Sequence, residues 1–180
     1  MRVVAGTARG RQLRAPRGRA TRPTSDRVRE ALFSMLETMG AVEGSAVVDL
    51  FAGSGALGLE ALSRGASSAV FVDQDKAAID AIRANLDSLG DDFKNRSRVV
   101  QADALRFAVN SPLCGVLFVD PPYAFADWRR LLELIGTSAT LLVAETGRPW
   151  DPGTGWETVK VKAYGDTVVT VFRPVPTGET

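Results

Sequence analysis

The stretch "VVDLFAGSGALGLE", Val47 to Glu60, decides the fold. An apolar run reaches Asp49 and Phe51, turns through Gly53, Gly55 and Gly58 in G-x-G-x-x-G spacing, and continues as a helix-compatible segment. A buried strand that passes through a glycine turn into a helix is the opening βα unit of a nucleotide-type cofactor fold. The downstream pattern extends it. "AVFVD" and "RVVQAD" read as strands separated by the amphipathic helix "KAAIDAIRANLDSLG", and a helical stretch over 104–110 precedes the strand "GVLFVD". "DWRRLLELIG" then gives a helix and "TLLVAET" a fifth strand. This alternation predicts a mostly parallel sheet covered by helices on both faces. "WETVKVKAY" and "TVVTVFRP", flanking Gly165-Asp166, predict a closing antiparallel hairpin, with "VPTGET" as a loose tail.

The acids at the strand ends indicate which cofactor the loop takes. A pyrophosphate would rest on the amides of the turn and the helix N-terminus, and Asp49 beside it would repel that charge. A carboxylate there suits a ligand bearing an ammonium or sulfonium cation and no phosphate, as S-adenosylmethionine does. Asp73 ends the second strand where a ribose would lie, and its two oxygens can accept from both sugar hydroxyls. Asp75 is a second candidate for that role. Asp103 ends the third strand and can accept from an adenine amino group. Ala52, Ser54, Gln74 and Ala104 complete the expected cofactor contacts, and Phe51 packs either on the cofactor or on the core.

The fourth strand ends in "DPPY", Asp120 to Tyr123. Pro121 and Pro122 have no N–H donor and a fixed φ, so the corner is stiff and rich in acceptors. Asp120 and the Pro121 carbonyl would hold an amino group that becomes pyramidal as it attacks an electrophile. Tyr123 offers a flat face for a base, a contact worth about 1–3 kcal/mol.

The composition removes other chemistries. The 180 residues contain no histidine and one cysteine, Cys114. Histidine bases, histidine triads, the usual zinc sets and internal disulfides are excluded, and Cys114 reads as a packing residue. No apolar segment approaches the roughly 20 residues of a bilayer span and no secretory pattern opens the chain, so the expected address is cytoplasmic. The net charge of +1 hides an asymmetry. Residues 1–30 hold Arg2, Arg9, Arg11, Arg14, Arg17, Arg19, Arg22, Arg27 and Arg29 against Asp26 and Glu30. "RVVAG" and "RQLRAP" predict a small hairpin with these arginines exposed, followed by a Pro/Gly-rich connector. Such an arm suits a polyanionic partner, and all of these except Arg29 are taken as RNA contacts. Arg29 is left open between RNA and a nearby acid. A first helix follows, capped by Thr24, Ser25 or Asp26, with Val28, Ala31, Leu32, Met35, Leu36 and Met39 as its buried stripe.

Together, "RVVAGTARGRQL", "RPTSDRVREALF", "DLFAGSGALGLEALSRGA" and "FVDPPY" resemble the bacterial 16S rRNA guanine-N2 methyltransferase family, small-subunit methyltransferase D. "DPPY" by itself matches the broader D/N-P-P-Y/F/W motif of methyltransferases that act on exocyclic base amines. The resemblance implies a class I S-adenosylmethionine-dependent methyltransferase fold with a seven-stranded sheet. It implies S-adenosylhomocysteine as the spent cofactor and, as substrate, a guanine of 16S rRNA in the assembling or assembled 30S subunit. The corresponding division is a basic arm over 1–23 and a methyltransferase domain over 24–180, acting as a monomer without metal or membrane. The competing readings are a DNA adenine-N6 or cytosine-N4 methyltransferase and a non-catalytic RNA-binding assembly factor.

Overall fold

The computed structural model describes residues 1–16, 25–122 and 124–175. Seven strands form one sheet in the order β3-β2-β1-β4-β5-β7-β6. The strands are β1 (Ala46–Leu50), β2 (Ser68–Asp73), β3 (Ser97–Gln101), β4 (Cys114–Val119), β5 (Ala139–Thr146), β6 (Trp156–Tyr164) and β7 (Thr167–Pro174). The first five pair in parallel, whereas β7 runs antiparallel to both β5 and β6. The expected closing hairpin is therefore present, and β7 inserts between β5 and β6.

The helices are α1 (Asp26–Thr38), α2 (Ala56–Ser63), α3 (Lys76–Leu89), α4 (Asp91–Asn95), α5 (Ala104–Ala108) and α6 (Trp128–Ile135). Side chains of α1, α2 and α3 bury one face of the sheet, with Val47, Phe71, Phe118 and Val143 in that layer. Side chains of α5 and α6 bury the other face, against Val48, Val72, Leu117 and Leu142. The change of face at every residue is the period of a pleated strand. Cys114 is buried, and that burial pushes its thiol up to about 11, as a packing residue requires.

Helix α1 departs from its expected stripe. Its buried residues are Val28, Arg29, Leu32, Phe33 and Leu36. Met35 is half-buried, and Met39 is 37% exposed because it lies beyond the last turn, as the C-cap. The face is rotated toward Phe33, whose ring meets Phe118 at 5.6 Å. The N-cap is Ser25, whose side chain accepts from Val28 N at 3.3 Å. The short α4 had no strong signal in "DDFKN"; it is fixed by Phe93, which inserts into the core.

The first sixteen residues form a narrow antiparallel loop with a single bridge, Arg2 to Gln12, rather than two full strands. It is stitched to α2 and α3. Val4 N and Ala5 N donate to the Glu60 carboxylate at 2.7 and 2.9 Å, and Thr7 N donates to Ser63 O at 2.8 Å. Gly6, at φ +78°, lies so close to α2 that a Cβ there would fall 1.9 Å from the Ser63 carbonyl oxygen. Val3, Ala8 and Leu13 enter the main core, while Arg2, Arg9, Arg11 and Arg14 face outward.

Candidate active site

The parallel register aligns the carboxyl ends of four adjacent strands. Leu50 stands opposite Val72 and Val119, and Val119 opposite Ala144. Counting in twos from the core layer shared with α1–α3 gives Phe71 to Asp73, Val47 to Asp49, Phe118 to Asp120 and Val143 to Glu145. Asp73, Asp120 and Glu145 thus stand level at one rim of the sheet on β2, β4 and β5, and Asp49 lies on the same face of β1 two residues deeper, opposite Phe71 and Phe118. Among the described residues no lysine or arginine forms an ion pair with Asp49, Asp73 or Asp120. Nor does any group of acids there converge closely enough to hold a metal ion.

Asp49 is 2% exposed and accepts from Gly58 N at 2.9 Å. Burial lifts its carboxyl to about 8; the Gly58 hydrogen bond opposes the rise and the charge of Asp73 adds to it. Asp120 is half-buried, and its carboxyl is also raised well above the ordinary range. Burial is the first cause, followed by the charges of Glu145 and then Asp49. Asp49 and Asp120 are thus held toward neutrality first by burial and then by neighbouring carboxylates, and a cation at the rim would relieve both.

The glycine turn is closed upon itself. Gly53 N donates to Asp73 Oδ2 at 2.9 Å, Gly55 N to Ala52 O at 2.7 Å, and Gly58 N to Asp49. Three amides that would cradle a phosphate are therefore spent within the protein, which adds to the case against a dinucleotide. Gly55 caps α2 at φ +78°, and a Cβ on Gly58 would fall 2.4 Å from the Phe71 ring. Gly58 thus serves helix–strand contact rather than ligand approach. Ala52 and Ser54 are buried, and Ser54 O accepts from Asn85 Nδ2 at 2.9 Å.

Asp73 also accepts from Asp75 N at 2.9 Å, so each of its oxygens already holds one amide. Asp75 caps α3 through Ala77 N, and the exposed Gln74 between them offers its carbonyl to Gln101 Nε2 at 3.3 Å. Asp103 caps α5 through Arg106 N at 3.0 Å and is half-buried, with Ala104 buried behind it. Asp73 ends β2, and Asp75 and Asp103 cap the helices that follow β2 and β3.

Phe51 adopts a positive φ of +62°, a conformation rare for a bulky side chain. Its ring meets Phe125 edge-on at 5.1 Å, and the series continues through Trp128, Trp150 and Phe172. Phe125 N also donates to Pro122 O at 2.8 Å. The Pro122 carbonyl is therefore engaged by the turn itself. Tyr123 lies outside the described residues.

The family described as Conserved hypothetical protein 95 matches residues 1–173. The Escherichia coli protein named Ribosomal RNA small subunit methyltransferase D is 33% identical, covering 99% of this chain and 92% of the relative. The chain belongs to the small-subunit rRNA methyltransferase D family. A Bacillus subtilis relative, "Putative rRNA methyltransferase YlbH", is 38% identical over 96% of this chain and 98% of its own length. The solved structure named "Putative methyltransferase yhhF from Escherichia coli" superposes with a TM-score of 0.83 at 31% identity, covering 97% of each chain. Membership in the methyltransferase D family makes the seven-stranded sheet a class I methyltransferase fold and the chain a methyltransferase.

Sequence reasoning missed Glu145 and the aromatic series in this family member. The signal for Glu145 was present, because it stands two residues beyond Val143 in "TLLVAET". Among the described arginines of the N-terminal loop, Arg14 sits beside the glycine turn, its backbone bonded to Asn85, which also donates to Ser54 O. Arg9, Arg11 and Arg96 line a cleft of about 350 Å³ where α2 and α3 end and β2 and β3 begin. That is about 20 Å, the length of α3, from the carboxylate rim. Arg11 Nη2 donates to Ser88 O at the end of α3. Arg14 and Arg27 are exposed, and Arg2 pairs with Asp26 at 3.3 Å. Arg29 is fully buried between Asp26 at 2.8 Å and Glu60 at 3.6 Å, which assigns it to nearby acids. Arg17, Arg19 and Arg22 lie outside the described residues. No described helix is long and apolar enough to cross a membrane.

Proposed function

We propose that the protein transfers a methyl group from S-adenosylmethionine to the exocyclic N2 amine of a guanine in 16S rRNA, on the 30S subunit. The observation that carries this reading is the rim itself, where buried Asp49 stands one strand from the Asp-Pro-Pro corner at the end of β4. The rim chemistry fits the cofactor: acids raised toward neutrality favour a cation, and the closed glycine turn disfavours phosphate. Asp49 and the turn over Ala52–Gly55 would face the aminoacyl end, Asp73 and Gln74 the ribose, and Asp103 and Ala104 the adenine. When bound, the cofactor supplies an electrophilic methyl whose carbon–sulfur bond breaks as the nitrogen–carbon bond forms, the sulfur keeping the electron pair.

The protein's own work is orientation. Asp120 and the Pro121 carbonyl accept from the amine and aim its lone pair, and Tyr123 stacks on the base. The proton leaves the nitrogen for the Asp120 carboxylate or water. The names of the relatives, which specify ribosomal RNA of the small subunit, support the substrate class. The exposed arginines of the N-terminal loop support a polyanion that extends beyond the pocket.

The test is transfer of tritiated methyl from labelled cofactor to unmethylated 30S subunits, naked 16S rRNA and duplex DNA. Incorporation into 30S subunits that is absent from DNA supports the reading. Incorporation into DNA alone, or into nothing, overturns it.

A further inference from the structure

We propose that Glu145 reads the target base together with Asp120, and that this pair of neighbouring carboxylates selects guanine by its two adjacent donors. The inference rests on the amino-methylation reading above and adds a residue to that site.

Strands β4 and β5 run in parallel with Val119 opposite Ala144, so Asp120 and Glu145 occupy the next rung. Both return to the face that carries Phe118 and Val143, the face of Asp49. Glu145 is held on a rigid element, since its backbone pairs with Val169 on the inserted strand β7. It is half-buried, at the mouth of the corner rather than in bulk solvent. Its charge is the second-largest cause of the raised Asp120 carboxyl, which places the two groups within electrostatic reach. The site is located by the glycine turn and the Asp-Pro-Pro corner; Glu145 is what the fold sets beside them.

The chemistry of the base explains why a second acid is useful. The Watson–Crick edge of guanine presents N1–H and the N2 amine side by side, two donors in a row. Adenine and cytosine each present an amine beside a ring nitrogen that accepts. Ionised carboxylates only accept, with about four lone-pair positions each, so Glu145 has capacity for N1–H alongside its other interactions. With adenine or cytosine the ring lone pair would face the Glu145 oxygens and leave acceptors unpaired. A site built to bond a substrate group rejects an analogue without it far more strongly than a hydrophobic pocket rejects a missing methylene.

The test places 2-aminopurine at the guanine that the wild-type enzyme methylates, in 16S rRNA reconstituted into 30S subunits. This base keeps the N2 amine but replaces N1–H with an acceptor. Wild type should favour guanine over 2-aminopurine by about 10⁴-fold in kcat/KM. Glu145→Gln, whose amide can donate to the ring nitrogen, should cut that preference to about tenfold or less. Binding of S-adenosylhomocysteine serves as the control that the variant is folded. An unchanged preference in the folded variant overturns the role of Glu145 while leaving the methylation reading intact. If wild type methylates no guanine amine, the reading falls and the inference falls with it.

Discussion

Replacing Asp49 by Asn should flatten a steep pH dependence of cofactor affinity. Burial raises this carboxyl from 3.8 to about 8, so at neutral pH the ligand-free protein holds a proton that the unfolded chain has released. Its contribution to stability is complete below 3.8 and is lost as pH rises to about 8, at up to about 1.4 kcal/mol per pH unit. A cation bound at the rim reverses the preference, because it favours the ionised form. Binding below pH 8 must then expel the proton. At pH 6 about one molecule in a hundred is ionised and at pH 8 about half, while the ligand's α-ammonium is itself about half deprotonated at pH 8, so affinity for S-adenosylmethionine should rise about 25-fold between them and fall again above. Calorimetry in buffers of different ionisation enthalpy should show about one proton released per ligand at pH 6 and almost no net release at pH 8. Asp49→Asn should bind more weakly at high pH and with little slope. A wild-type affinity that stays flat from pH 6 to 9, with no proton released, would refute the pairing of Asp49 with a cation.

Asp120→Ala should lower kcat by at least about 100-fold while the affinity for S-adenosylhomocysteine stays within threefold, read by single-turnover transfer and calorimetry. Glu60→Ala should cost about 3–5 kcal/mol in chemical denaturation, because it strips Arg29 and Arg64 of a buried partner and Val4 and Ala5 of their acceptor. Arg9→Gln with Arg14→Gln should weaken 30S binding and reduce the slope of log affinity against log salt by about one per lost phosphate contact. An unchanged slope would remove these two side chains from the RNA interface. Deleting the whole N-terminal segment is uninformative by comparison, since Val3, Ala8 and Leu13 would leave the core with it.

Much of the architecture was legible because the chain obeys period rules. Four βα units, a fifth parallel strand and a Gly165-Asp166 hairpin leave few topologies, and the strands lie where the apolar runs place them. The insertion of β7 between β5 and β6 was not legible, because no local signal says which edge of a hairpin pairs inward. At the site, Asp49, Asp73, Asp103 and Asp120 could be read from their places at strand ends. Glu145 escaped notice because its strand ends in Thr146 with neither a glycine-rich turn nor an Asp-Pro-Pro corner to mark it. Phe125 and Trp150 escaped for a different reason: their contacts join loops far apart in sequence, and only tertiary packing brings those rings together. Arg29 looked like part of a basic arm, yet two residues, about half a helical turn, separate solvent-facing Arg27 from Arg29, which is sealed between Asp26 and Glu60.

The central claim is that an acidic rim seats a cationic methyl donor against the amine of a clamped guanine. Its most direct test is nucleoside analysis by mass spectrometry of 16S rRNA from 30S subunits treated with the enzyme and deuterated-methyl S-adenosylmethionine. The account predicts label in N2-methylguanosine and in no other nucleoside. Label in N6-methyladenosine, in N4-methylcytidine or on a ribose would contradict it.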